Sequence, residues 1–238
     1  MDEIGNLRNE IKKSANPQKA KILQKFFKTG KGQYGEGDIF IGLVVPESRK
    51  ISKKYPNLTF KEILILLSSR IHEERLICLL ILVDKFKKAT QNEQEKIFHF
   101  YIKHAKKINN WDLVDLSAPN ILGTYLLGTQ DRQILYKLAR SDNIWKKRIS
   151  IIATLTFIRN TQFDDTLRLA EILIFDNNDL IHKAVGWMLR EVGKRDEILL
   201  EQFLEKYCRI MPRTTLRYAI EKFSKKKRKN FLKMKNLV

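Results

Sequence analysis

The sequence predicts an all-α chain of stacked helical repeats, and three observations carry that reading. Helix-starting signals recur along the chain, each followed by roughly ten to eighteen residues with apolar positions three and four apart, giving about a dozen helices. Runs of alternating β-branched residues are scarce. A Trp-x-x-Arg pattern occurs twice, with Trp187 and Arg190 each standing 42 positions after Trp145 and Arg148. That spacing is about the period of a HEAT or armadillo unit. The expected architecture is a curved right-handed solenoid of HEAT-like or armadillo-like helical repeats with a concave basic face.

Taken in order, Asn16-Pro17 supplies a cap and a helix-opening proline, since proline lacks only an amide that the first turn leaves unpaired. Residues 22–28 read as helix, and Thr29 to Asp38 as a connector. Within it, Gly30-Lys31-Gly32-Gln33-Tyr34-Gly35 matches G-x-G-x-x-G, but a dinucleotide loop needs a strand before it and a helix opening on its last glycine. Neither is present, and no kinase signature follows. Residues 39–45 are the one short β-branched run, ending at Pro46 before Glu47. Thr59-Phe60-Lys61-Glu62 fits a capping box, with Ile63, Leu64, Leu66 and Leu67 continuing at helical spacing. Asn92-Glu93-Gln94-Glu95 signals another start. Cys78 and Cys208 stand in apolar runs with no second cysteine nearby, which predicts buried thiols in a reducing compartment.

The chain is strongly basic, with 46 Lys plus Arg against 27 Asp plus Glu and a net charge of +19. Such an excess favours a polyanionic partner, nucleic acid first. Residues 222–238 hold eight of the cations and no acid. The domain reading is a repeat domain over 1–224 and a solvated, partly disordered basic tail over 225–238. No apolar run approaches the roughly 18 residues of a spanning helix. A cytoplasmic protein is expected, without a membrane partner.

The chemistry available is narrow. His72, His99, His104 and His182 show no paired metal-ligand spacing, so no metal site is expected and the histidines read as core or solvated. Nucleophile elbows and Cys-His signatures are absent, leaving carboxylates. Trp111 and Asp115 are four residues apart and share a helix face, whereas Asp112 points roughly 100° away from Trp111. Asp115 is the better-placed acid, and Pro119 should end or kink its helix. Two readings stay open here: a Trp-Asp pair at the mouth of a cleft, or a core tryptophan beside an acid paired with arginine. Arg148 and Arg190 likewise read either as phosphate contacts, through the guanidinium fork, or as partners of core carboxylates.

Four segments together resemble a known family: Phe40-Ile41-Gly42-Leu43 with Pro46 and Arg49, Trp111-Asp112-Leu113-Val114-Asp115, Asn143-Ile144-Trp145 leading to Arg148, and Lys183 through Glu191. The chain is similar over nearly its whole length to the DNA alkylation repair glycosylases of the AlkD family. The resemblance implies that Trp111, Asp115 and Trp187 are catalytic, that Arg148 holds the DNA backbone and that Arg190 supports the basic surface. It also implies excision of N3- or N7-alkylated purines from duplex DNA by a monomer, without a metal or organic cofactor. The alternative is a non-catalytic helical module binding bent, branched or damaged DNA. A third reading is a helical scaffold for an acidic protein.

Overall fold

The computed structural model describes residues 3–234. The chain divides after Ser117 into two compact units, each built of helices. Among the described residues the only β feature is one isolated bridge between Ile39 and Ile71.

The first unit comprises α1 (Glu3–Lys13), α2 (Pro17–Phe26), α3 (Val45–Ser52), α4 (Phe60–Leu67), α5 (His72–Lys88), α6 (Gln91–Lys103), a 3-10 turn (Ala105–Lys107) and α7 (Trp111–Ser117). Local capping accounts for most of the starts. Asn16 accepts from the Lys19 amide ahead of Pro17, and Thr59 and Glu62 exchange capping-box bonds. The start of α6 is set by Thr90 with Glu93 rather than by Asn92. Helix α5 is buried on every side from Leu76 to Val83, as a helix apolar all round must be, and α1, α3, α4, α6 and α7 pack around it.

Residues 39–44 lie ahead of α3 outside any helix, yet they form no sheet because a side chain takes three of their amides. Buried Glu73 accepts from the backbone N–H of Ile41, Gly42 and Leu43 at 3.0, 2.9 and 3.3 Å. Burial pushes the Glu73 carboxyl above its ordinary value, and the amide bonds only partly oppose this. Gly42 has φ +97°, a region that L side chains avoid.

The second unit opens with a π-helical turn at Pro119–Gly123, so Pro119 changes the helix type rather than stopping it. It continues through α8 (Thr124–Leu127), α9 (Gln133–Ala139), α10 (Ile144–Ala153), α11 (Leu155–Arg159), α12 (Asp164–Leu173), α13 (Asp179–Gly193), α14 (Glu197–Tyr207), α15 (Arg213–Ala219) and α16 (Lys225–Met234). Within it, α9 and α12 pack together, as do α10 and α13, while α9 joins α10 and α12 joins α13. This is a stack of helix pairs in two layers.

Two expectations change. Helices α10 and α13 are opened by side-chain caps from Asn143 and Asn178, which are 35 positions apart, so the 42-residue Trp-x-x-Arg echo is out of step with the helix pairs. Trp145 lies two residues beyond its cap and Trp187 nine beyond. The basic C-terminal stretch is helical through Met234: Phe231 is buried beside the Phe223 ring, and Lys227 pairs with Glu197 and Glu201 of α14. Residues 235–238 of the expected tail lie outside the described residues. Among those described, no helix is long and apolar enough to cross a membrane.

Candidate functional site

In the first unit the sequence-predicted pair stands on α7. Trp111 and Asp115 are both half-buried and one helical turn apart on the same face. The indole stacks on Phe27 at 5.1 Å between ring centroids, with Phe26 edge-on at 5.9 Å, and its N–H donates to the Tyr34 hydroxyl at 3.2 Å. Phe27 stacks in turn on Phe40, and Phe40 on the His72 ring. Phe26 itself is 61% exposed, so this column ends in an aromatic edge open to solvent.

A buried polar network fixes the start of that helix. Asp112 accepts from its neighbour's amide, Leu113 N–H, at 2.8 Å, and its other oxygen lies 2.8 Å from His72 Nε2. His72 Nδ1 is 3.3 Å from Asp38, which also accepts from Arg75 at 2.5 Å and from Asn110 at 3.3 Å. Asn110 Oδ1 accepts from the Trp111 amide at 2.8 Å. Burial lowers the affinity of His72 for a proton, but the Asp112 and Asp38 carboxylates more than reverse this, so its pKa rises above the ordinary 6.5. Burial pushes Asp38 up, and His72 and Arg75 overcome that and hold it below its ordinary value. Asp112, the acid set aside in the sequence, thus clamps the helix end, while Asp115 projects from the Trp111 face.

The second unit holds the other three residues. Arg148 is 5% exposed, and its Nη1 donates to the Leu180 carbonyl in the first turn of α13 at 2.7 Å. Trp187 is half-buried and donates from its indole N–H to Glu191 at 3.2 Å. Arg190 pairs with Glu221 and lies 3.7 Å from Glu191, which also meets Lys194 and Arg195. Trp145, the first member of the repeated pattern, is 6% exposed and belongs to the core. The structure therefore joins Trp111 to Asp115 in one unit, and Trp187 to Arg190 by way of Glu191 in the other.

The pattern of the DNA alkylation repair enzyme family matches residues 7–223, which takes in both units and all five of these residues. The chain belongs to that family. Solved structures similar to this repair enzyme include a protein from Enterococcus faecalis described as a predicted DNA alkylation repair enzyme, at 16% identity and a TM-score of 0.69 over 89% of this chain and 97% of that one. AlkD2 from Streptococcus mutans is similar at 16% identity and 0.57, over 87% and 98%. The smu.31 protein of Streptococcus mutans UA159 is similar at 15% and 0.52, over 92% and 96%. These likenesses bear on the fold. No curated protein matches the chain.

Sequence reasoning about this repair enzyme missed the network behind Trp111. The signal was present in His72-Glu73-Glu74-Arg75, four polar residues opening a helix whose next residues, Leu76 to Val83, are all apolar, and all four are buried. Charged side chains are almost never fully buried without partners. The run therefore implied carboxylates or cations elsewhere, among them Arg8, which reaches Glu74 at 3.1 Å.

Proposed function

We propose that this DNA alkylation repair enzyme is a monofunctional glycosylase. It hydrolyses the N-glycosidic bond of cationic N3- or N7-alkylpurines in duplex DNA and leaves an abasic site. The observation that carries the reading is Asp115, a carboxylate one helical turn from a tryptophan whose ring and helix start are both held by buried contacts.

The chemistry asks little of the protein because the base is already a cation. When the C1′–N bond breaks, its electron pair returns to the ring and neutralises it, so neither a general acid nor a cofactor is required. Positive charge grows on the deoxyribose, where the Asp115 carboxylate stabilises it and orients a water. That water adds to C1′ and gives up a proton, directly or through Asp115 to solvent. Electrostatic stabilisation aimed at developing charge is usually the largest single contribution to catalysis. The Trp111 face favours a cationic sugar through the ring quadrupole, and an indole face such as that of Trp187 offers the same attraction.

The residues assigned to this reading are Trp111 and Asp115 in the first unit, and Trp187, Arg148 and Arg190 in the second. Arg148, being 5% exposed, contributes by holding the first turn of α13 and by its positive field. Arg190 reaches a phosphate by leaving Glu221 for it. The enzyme acts as a cytoplasmic monomer.

The test is release of alkylated purine from methylated duplex by wild type and by Asp115→Asn at matched DNA occupancy. The rate should fall by about 10²–10³, the cost of removing one preorganised electrostatic contact, with binding nearly unchanged. Tight binding with no release by the wild type would leave the non-catalytic DNA-binding module as the function.

A further inference from the structure

The layer of the second unit formed by α9 and α12 is separate from the α10 and α13 layer that carries Arg148, Trp187 and Arg190. Gln133, Tyr136 and Arg140 follow one another at three and four residues along α9 and its cap, so they share one helix face. Asp165 and Arg168 do the same on α12. The two faces line a recess of about 340 Å³ together with Arg132.

Its charges do not cancel. Asp165 is the one acid lining it, and both oxygens are taken: Arg132 donates to one at 2.8 Å and the Tyr136 hydroxyl to the other at 2.7 Å. Arg132 is itself saturated, donating to the Leu127 carbonyl and to Gln162 and lying over the Phe157 ring at 4.2 Å. Burial and the bond to Asp165 push the Tyr136 hydroxyl up to about 12, so it stays a donor committed to that carboxylate. Arg140 and Arg168 remain, both exposed. Arg168 touches the Tyr136 hydroxyl, and neither forms an ion pair among the described residues.

We propose that this recess is a phosphate-binding site, with Arg140 and Arg168 as the two guanidinium forks that close on the anion. Planar forks of this kind match the oxygens of a phosphate group better than a point charge does. The remaining lining is amide and phenol, with no apolar floor to anchor an acidic peptide's hydrophobic side chain. The phosphate comes either from a nucleic-acid backbone or from a small phosphorylated ligand. The site is independent of whether the enzyme excises bases.

The probe is inorganic pyrophosphate, titrated calorimetrically into the full chain at low salt. Wild type should show one saturable site, and Arg140→Glu/Arg168→Glu should weaken it at least about tenfold. Lys137→Glu/Arg159→Glu changes the net charge equally at exposed residues outside the recess and should leave affinity within about twofold. Both pairs are surface changes, and matched thermal melts establish that the variants are folded. Absence of saturable binding, or equal weakening in the two variants, overturns the site. An undamaged duplex that displaces pyrophosphate identifies the backbone as the source of the phosphate; pyrophosphate retained on the DNA complex identifies a small ligand. Either result keeps the assignment.

Discussion

At the scale of single residues, His72 bears most weight, because it stands between two carboxylates and beneath the aromatic column that ends at Trp111. Its neighbours are Asp38, Asp112 and Arg75, so the network holds two carboxylates and two cations when His72 is protonated. The raised His72 pKa sets a direction: its contribution to stability is complete below the ordinary value of 6.5 and is lost as pH rises through the higher folded value. Asp38, held low, contributes at all pH above its ordinary value and fails only in acid. His72→Gln removes the charge and leaves two buried carboxylates facing one arginine. Breaking a buried pair in this way costs about 3–5 kcal/mol. The difference in urea midpoint between wild type and His72→Gln should be large at pH 6 and shrink steadily towards pH 9. A difference independent of pH would mean that His72 acts by shape and hydrogen bonding alone.

At the scale of helices, the crossing of α13 and α15 sets two effects against each other at Gly186. Replacing a helix-interior glycine by alanine gains up to about 1 kcal/mol of helix propensity. Here, however, a Cβ would stand 2.5 Å from the Tyr218 Cβ and 2.7 Å from the Thr215 carbonyl, and overpacking costs about 1–3 kcal/mol. Sterics should win, so Gly186→Ala lowers the melting temperature by several degrees. Gly128→Ala, with nothing within 4 Å of its Cβ, should change it little. A stabilised Gly186→Ala would show that the two helices separate at little cost. The same contrast between local and distant causes explains what the sequence made legible. Helix starts were readable at Asn16 and Thr59 because a cap and its amide lie within three residues. The shared face of Trp111 and Asp115 was readable for the same reason. The Asp38 network was not, since its partners lie 34 to 72 positions apart. The Trp-x-x-Arg echo misled because matching residue types do not mark matching places: Trp145 is core, two residues from its cap, while Trp187 lies two helical turns further along its helix and half-buried.

At the scale of the whole chain, the question is what a charge of +19 does, and α16 is where structure and charge can be separated. Its Phe231 is 6% exposed and Lys227 bridges to Glu197 and Glu201, while Lys225, Lys226 and Lys229 stand in solvent. Deleting everything after Ser224 removes both contributions at once. Exposing one buried phenylalanine costs about 1.5–3 kcal/mol, so the truncated chain should melt earlier as well as bind DNA more weakly. Neutralising Lys225, Lys226 and Lys229 to glutamine leaves the packing intact and should leave the melting temperature nearly unchanged. Its effect should fall on the salt dependence of duplex binding, where each phosphate no longer neutralised makes the log-log slope shallower by about 0.9. Excision by the DNA-saturated triple variant should match the wild type, because none of the three lysines is assigned to the chemistry. An unchanged slope would make α16 a packing element whose charge faces away from the DNA, and the affinity would then rest on cations in the rest of the two units.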